Sequence, residues 1–257
     1  SAGQKIMWKS TSLQPTKDNV GINYDGIGIF LSTGRFNVEG NAMSLYYGGN
    51  FANKTSLNGK DGAFACLFSG CTGLISAENL VLPATTLSDW CYYSMFYECS
   101  GLTTPPALPA TTLANTCYAY MFDGCYSLTT APELPATTLA SNCYNEMFKW
   151  CTSLTTIPSF NITKAGAYGF YYMFNGCTSL TTAPALPATT LAQDCYIWMF
   201  SWCTALTTTP RLPATTLASW CYANMFENCS NLTTVSTIAA RTLDENCCQH
   251  MFLNCTS

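Results

Sequence analysis

In the nine residues 117–125, Cys-Tyr-Ala-Tyr-Met-Phe-Asp-Gly-Cys, the positions of Cys117, Tyr118, Met121, Phe122 and Cys125 keep their residue types in most returns of the pattern, while those between them change. The return has a constant 26-residue period. Its Met-Phe pair begins at Met95, Met121, Met147, Met173, Met199, Met225 and Met251, and a looser Leu67-Phe68 precedes the first at a slightly longer interval, so eight coils are visible. On a helical wheel of about 100° per residue with Cys117 as origin, Met121 falls at about 40°, Cys125 at about 80°, Tyr118 at about 100° and Phe122 at about 140°. This predicts an amphipathic helix in each coil, with the fixed residues inward and the columns of Thr116, Ala119, Tyr120, Asp123 and Gly124 outward. A fixed period of this length without separate domains is the signature of a solenoid, whose units bury their apolar faces only against their neighbours.

The remainder of the coil reads as extended. Residues 127–131, Ser-Leu-Thr-Thr-Ala, make the best strand candidate, with Leu128 inward and threonine favouring the extended state. Prolines follow in two columns, Pro106, Pro132, Pro158, Pro184, Pro210 and Pro109, Pro135, Pro187, Pro213. Since proline cannot donate to a ladder between stacked strands, these columns are corners. After the corner, residues 136–139 give a second short extended or turn segment, and Ser141, Asn142 or Asp194 can cap the helix that follows. One coil replaces the usual Leu-Pro-Ala-Thr-Thr with residues 159–164 and Cys-Tyr with Gly169-Phe170, at unchanged length. The last has Ser236 and Ala239 in place of prolines and Cys248 in place of the usual ring.

Residues 1–60 lie outside the repeat. The alternations Val20, Ile22, Tyr24 and Ile27, Ile29, Leu31, with Gly26, Gly28 and Gly34 between, read as short strands, extended by residues 36–38 and 43–47. An open solenoid end exposes backbone and apolar side chains, so this region is expected to be an N-terminal β-rich cap, with a small separate β region as the alternative. The domain division is then 1–60 and 61–257. The chain stops shortly after Cys255, where each earlier coil begins its next extended segment, which reads as a C-terminal truncation.

Charge excludes one class of function. Charged residues are 9% of the chain and the net charge is −4, without the lysine and arginine footprint of a sequence-independent nucleic-acid binder. No apolar run is long enough to make a membrane span, and the opening Ser-Ala-Gly is not a signal segment. The 16 cysteines stand in rows. Cys71, Cys99, Cys125, Cys151, Cys177, Cys203, Cys229 and Cys255 have a member in each coil, whereas the row of Cys91, Cys117, Cys143, Cys195, Cys221 and Cys247 has Ala63 and Gly169 in two coils. Helix positions separated as Cys117 and Cys125 are lie about 12 Å apart, beyond disulfide reach. The expectation is buried free thiols acting as small hydrophobes.

The unit Cys-x-Ser-Leu-Thr-Thr-x-Pro-x-Leu-Pro, followed by Thr-Thr-Leu and Met-Phe-x-x-Cys, is clearest over residues 177–187 with Met199, Phe200 and Cys203. It resembles the 26-residue bacterial surface-protein repeats and the BspA-like leucine-rich repeats over about three quarters of the chain. The resemblance implies an α/β solenoid, leucine-rich-repeat-like, of about eight strand-turn-helix coils with a short parallel sheet. It also implies an extracellular place on the surface of a bacterium, or on a virus of one, and a role in adhesion or recognition. The proline columns and the scarcity of leucine depart from ordinary leucine-rich repeats.

Catalytic chemistry is not visible in the residues. His250 is the chain's single histidine, too few for a triad or a metal site. Glu98, Asp123, Glu133, Glu146 and Glu227 are spread over several columns without the paired spacing of a glycosidase. No catalytic residue, metal or cofactor is assigned. The outward arc is richer, carrying Trp90, Tyr93, Tyr97, Tyr120, Trp150, Tyr168, Tyr171, Tyr172, Trp198, Trp202 and Trp220 among Asn, Ser, Asp, Ala and Gly. Exposed helix faces ordinarily favour Lys, Glu, Arg and Gln, whereas rigid rings with small polar neighbours are the chemistry of a paratope. Trp90, Tyr93, Tyr97, Tyr120, Trp150, Tyr172, Trp198, Trp202 and Trp220 are therefore the candidate ligand-binding residues of a non-enzymatic module that displays this face to a host or bacterial surface protein or a glycan. The alternatives are a structural spacer of a surface or phage tail protein and a carbohydrate-active solenoid enzyme; the bland reading of the rings is sideways packing between coils.

Overall fold

A computed structural model describes residues 32–256, in which successive 26-residue coils lie one upon the next. The expected strands through Val20 to Leu31 lie outside the described residues. Inside the stack, the phenylalanine of each Met-Phe pair rests on the phenylalanine of the next coil. Phe68, Phe96, Phe122, Phe148, Phe174, Phe200, Phe226 and Phe252 form a ladder with centroids 5.4–5.7 Å apart and planes within 11° of parallel. A second ladder begins with Phe64 and Tyr92, passes through Phe170 and ends at Tyr222, with steps of 5.0–6.1 Å. Steps of this size match the spacing of about 5 Å between hydrogen-bonded neighbouring backbones. Phe170 keeps this ladder continuous where the sequence departs from Cys-Tyr.

The segment from Trp90 to Cys99, and its counterpart in every coil, is not the expected α-helix. It is a ribbon of consecutive turns. The N–H groups of Tyr93, Met95, Tyr97 and Cys99 donate to the carbonyls of Trp90, Tyr92, Ser94 and Phe96, at 3.1–3.2 Å. Those of Trp90, Tyr92, Ser94, Phe96 and Glu98 donate instead to Asn115, Cys117, Ala119, Met121 and Asp123 of the next coil, at 2.7–3.1 Å. Every second amide thus holds the turn, and every other one holds the stack. Side-chain direction repeats after two such turns, so Cys91, Met95 and Cys99 stand in line, with Tyr92 and Phe96 beside them, all buried. The expected caps have no helix to cap: Asn142 and Asp194 lie in the turns at positive φ. The described helix is one short segment, α1 (Met43–Tyr47), where the sequence predicts an extension of the strand pattern.

The extended walls are shorter than expected. Strand β1 (Phe36–Asn41) pairs in parallel with β2 (Leu74–Val81), and β3 (Lys164–Ala165) with β4 (Thr190–Leu191). Elsewhere the coils meet in single parallel bridges, Thr130 with Thr156 in the first threonine column and Thr138 with Lys164 in the second. Threonine hydroxyls such as Thr155 Oγ1 on Thr129 O (3.3 Å) supplement these bridges from outside. Residues before the repeat join the same wall, since Ser56 bridges Thr86.

The 16 cysteines carry no disulfide, and all but Cys248 and Cys255 are buried. In the complete row the seven thiols from Cys99 to Cys255 each donate to a phenylalanine carbonyl of the preceding coil, as Cys125 Sγ does to Phe96 O (3.2 Å) and Cys229 Sγ to Phe200 O (3.1 Å). Burial pushes these thiols well above their ordinary range, which keeps the proton that the bond requires.

Candidate functional site

The turn ribbon leaves six outward columns, those of residues 89, 90, 93, 94, 97 and 98. In three of them, at residues 90, 94 and 98 and their equivalents, the backbone is left-handed in all eight coils, 24 positions with φ between 50° and 75°. Each is the third residue of a turn, where the type II geometry demands positive φ and glycine or asparagine fits without strain. Glycine and asparagine do appear, at Gly124, Gly176, Asn142, Asn224, Asn228, Asn246 and Asn254 among others. Yet eight of the 24 positions hold Trp90, Tyr120, Trp150, Tyr168, Tyr172, Trp198, Trp202 and Trp220. All five tryptophans of the described residues are therefore in conformations that disfavour a side chain bearing a Cβ, by roughly 1 kcal/mol or more each.

Seven of the nine candidate residues occupy these left-handed positions; Tyr93 and Tyr97 stand in the intervening columns. Trp90, Trp150 and Trp202 are exposed, at 37%, 41% and 49%. Tyr93, Tyr97, Tyr120, Tyr172, Trp198 and Trp220 are half-buried. The rings gather into two groups. Trp90 packs against Tyr93 (5.3 Å) and Tyr93 edge-on against Tyr120 (5.5 Å). Farther along, Tyr172 stacks flat on Trp198 at 4.8 Å, and Tyr171 meets both rings edge-on. Trp150 lies over Gly176 of the next coil, where a Cβ would stand 2.4 Å from the indole; Trp202, in the same column as Trp150 and Gly176, has no ring partner among the described residues. The sideways packing expected as the bland reading thus applies to Tyr93, Tyr120, Trp150, Tyr172 and Trp198, and does not extend to Trp202.

Carboxylates are woven between these rings, a feature that reading the columns singly does not reveal. Glu146 faces the Tyr120 hydroxyl and Asp194 that of Tyr168, each carboxylate coming from the following coil and raising the phenol's pKa. Trp198 Nε1 donates to Glu227 Oε2 (3.2 Å), which also accepts from Asn224 Nδ2 (2.7 Å). Lys149 Nζ bonds Glu146 Oε2 at 2.6 Å and lies 5.1 Å from the centre of the Tyr172 ring. Asp123 is 7% exposed. Burial raises its pKa to about 7; Lys149 pulls the other way, and Glu146 and Glu98 add to the rise. No cluster of three or more His, Cys, Asp or Glu side chains among the described residues is arranged to hold a metal ion. No helix there is long and apolar enough to cross a membrane.

No family model matches the sequence, and no curated protein matches it either. Among solved structures, the chain is similar to a leucine-rich repeat protein from Bacteroides ovatus, with 18% identity, a TM-score of 0.40 and 68% of this chain covered. The match covers 46% of that protein, so the chain spans less than half its length.

Proposed function

We propose that the chain is a non-enzymatic recognition module that presents its turn face, with Trp90, Trp150 and Trp202 outermost, to a ligand on a cell or virion surface. The observation that carries this reading is the presence of eight tryptophans and tyrosines in left-handed positions where glycine or asparagine would fold more easily. Backbone strain retained at particular positions is a pointer to function rather than to stability. Inner columns and inter-coil amides hold the stack, so the outer columns are free to vary, and rigid amphipathic rings supply contact area at little entropic loss. The resemblance of the repeat unit to bacterial surface-protein repeats supports the surface location.

The test begins with protein and glycan arrays probed with the 257-residue chain, followed by the variant Trp202→Asn. Asparagine already occupies this column at Asn228 and Asn254. Loss of an anchoring ring is expected to weaken the captured ligand at least thirtyfold, equivalent to about 2 kcal/mol or more, with the melting temperature unchanged or raised. Unchanged affinity in Trp202→Asn, Trp150→Asn and Trp90→Asn alike would remove the exposed rings from recognition and leave the spacer reading.

A further inference from the structure

The wall of the stack departs from its regular step between the first two coils. Parallel bridges join Ser76 to Thr104 and Thr86 to Thr112, so the first coil takes ten residues from bridge to bridge where the second takes eight. Opposite the excess stands a double proline, Pro105-Pro106, which no other coil repeats. Proline has no amide to donate across the mismatch, so the two coils do not close upon each other there. The result is an open groove of about 470 Å3 over the first three coils. Its surface is mostly Pro105, Pro106, Ala107, Pro109 and Ala131, with Glu78 from the first coil and Glu133 from the third, and no lysine or arginine. Steps of 5.5 and 5.4 Å in the phenylalanine ladder separate the first coil from the third. The groove fits a segment with an aromatic ring between cationic ends.

Such a segment is present in the same chain. Residues 1–17 hold Lys5, Lys9 and Lys17 without an acid, and Trp8 lies among them, whereas the described residues hold twelve Asp and Glu against seven Lys and Arg. We propose that residues 5–9, Lys-Ile-Met-Trp-Lys, occupy the groove of their own chain, with Trp8 on the prolines and the two lysines at Glu78 and Glu133. Proline and aromatic rings are matched partners, as in the aromatic grooves that read proline-rich peptides. In an extended segment Ile6 and Trp8 share one face, and Lys5 stands about 13 Å from Lys9, close to two coil steps. The long lysine stems cover the remaining difference. A surface ion pair contributes little alone, so the ring anchors the segment and the lysines orient it. Reach is not limiting. Gly73 N donates to Ser32 O (3.1 Å) and Phe36 N to Gly73 O (3.0 Å), so the described chain enters the stack at the start of β2, the strand that carries Glu78. The 22 residues between Lys9 and Ser32 can span about 70 Å. A tether raises the local concentration of its segment to about the millimolar range, which populates a contact too weak to hold a separate peptide. None of the groove residues belongs to the turn face, so this contact stands or falls apart from the recognition reading.

The experiment treats the 257-residue chain with a water-soluble carbodiimide, which joins a lysine amine to a carboxylate in contact as an amide, and maps the joined peptides by mass spectrometry. Lys5 and Lys9 are expected to couple to Glu78 and Glu133, and to the acids of the turn face at least about tenfold less. Trp8→Ser is expected to lower the coupling to Glu78 and Glu133 about fivefold or more, and Trp8→Phe, which keeps a ring, to restore most of it. Both substitutions lie outside the stack, and an unchanged melting curve confirms that it is intact. Coupling that is absent, that spreads evenly over the acids of the molecule, or that persists in Trp8→Ser would reduce the contact to chance proximity and overturn the proposal. Mixing the chain with an isotope-labelled copy before coupling tests the other occupant: joined peptides that are predominantly mixed in label would assign the groove to the segment of a second copy and equally overturn docking within one chain.

Discussion

At the scale of single residues, the left-handed positions set what each side chain costs. Asn228 has φ 61° and is the easiest kind of occupant after glycine. Asn228→Gly is expected to leave stability within about 0.5 kcal/mol, whereas Asn228→Val places a β-branched residue in a backbone region it resists and is expected to lose about 1–3 kcal/mol by chemical denaturation. Equal stability in the two variants would remove the strain argument. Asp123 gives a second test. Its pKa is raised in the folded chain to about 7 from an ordinary value of 3.8, so the folded state holds the proton that the unfolded state releases. Its contribution is therefore fully present below pH about 4 and is lost as the pH rises to about 7. Asp123→Asn should flatten that slope and raise stability at pH 8 by roughly 2–4 kcal/mol, read from denaturation curves at both ends of the range. A variant less stable than the parent at pH 8 would show that the interaction with Lys149 outweighs desolvation.

At the scale of the element, the ribbon divides its duties between backbone and core. Phe122 is wholly buried and stacked between Phe96 and Phe148 at 5.4 Å on each side, while its carbonyl receives the Cys151 thiol at 3.2 Å. Phe122→Ala is expected to cost about 3–5 kcal/mol, because a three-ring stack cannot collapse around the cavity without breaking the coil spacing. A melt unchanged from the parent would place this column outside the core. The thiol rows predict a reactivity pattern. Cys248 is exposed, though burial of its surroundings and the neighbouring Cys247 hold its pKa up to about 11. It should be the first thiol labelled by an alkylating reagent, faster as pH rises, with Cys255 next and the buried thiols unreactive until denaturant is added. Rapid labelling of several thiols before unfolding would contradict the buried rows.

At the scale of the whole molecule, cohesion comes from neighbour-to-neighbour contacts, as in other stacked repeats. Alternate amides of the turn ribbon each have an acceptor in the following coil, with Phe122 N on Met147 O at 2.9 Å and Tyr120 N on Asn145 O at 2.8 Å. The corresponding amides of Asn246, Cys248, His250, Phe252 and Asn254 have no acceptor among the described residues. Hydrogen exchange in the 257-residue chain should therefore be slowest at the alternate amides of the central coils and fastest at these five. Uniform protection along the stack would mean that the last coil is held by something other than its predecessor.

The sequence by itself determined the 26-residue period, the inward set of Cys, Tyr, Met and Phe and the burial of the thiols, because a repeated unit that lacks a core of its own shows its buried side as the columns that do not change. It also singled out the rings, because large aromatics in changing outward columns are unusual wherever the backbone happens to run. The backbone itself was not legible. Within one Cys-to-Cys segment, positions i, i+1, i+4, i+5 and i+8 fit one face of an α-helix nearly as well as a ribbon that repeats at every fourth position, the two periods drifting apart by only about 40° per repeat. Asparagine and glycine recurring at every fourth position, as at Asn224, Asn228 and Gly124, are the local sign of left-handed turns, but tryptophan, tyrosine and glutamate in the same columns obscure it. Tertiary structure decided the matter because half the ribbon's amides find their acceptors in the next coil, a bond no local pattern can display. The same stacking brings Tyr120 to Glu146, Tyr168 to Asp194 and Trp198 to Glu227, so the chemistry of the face arises between coils and not within any one of them.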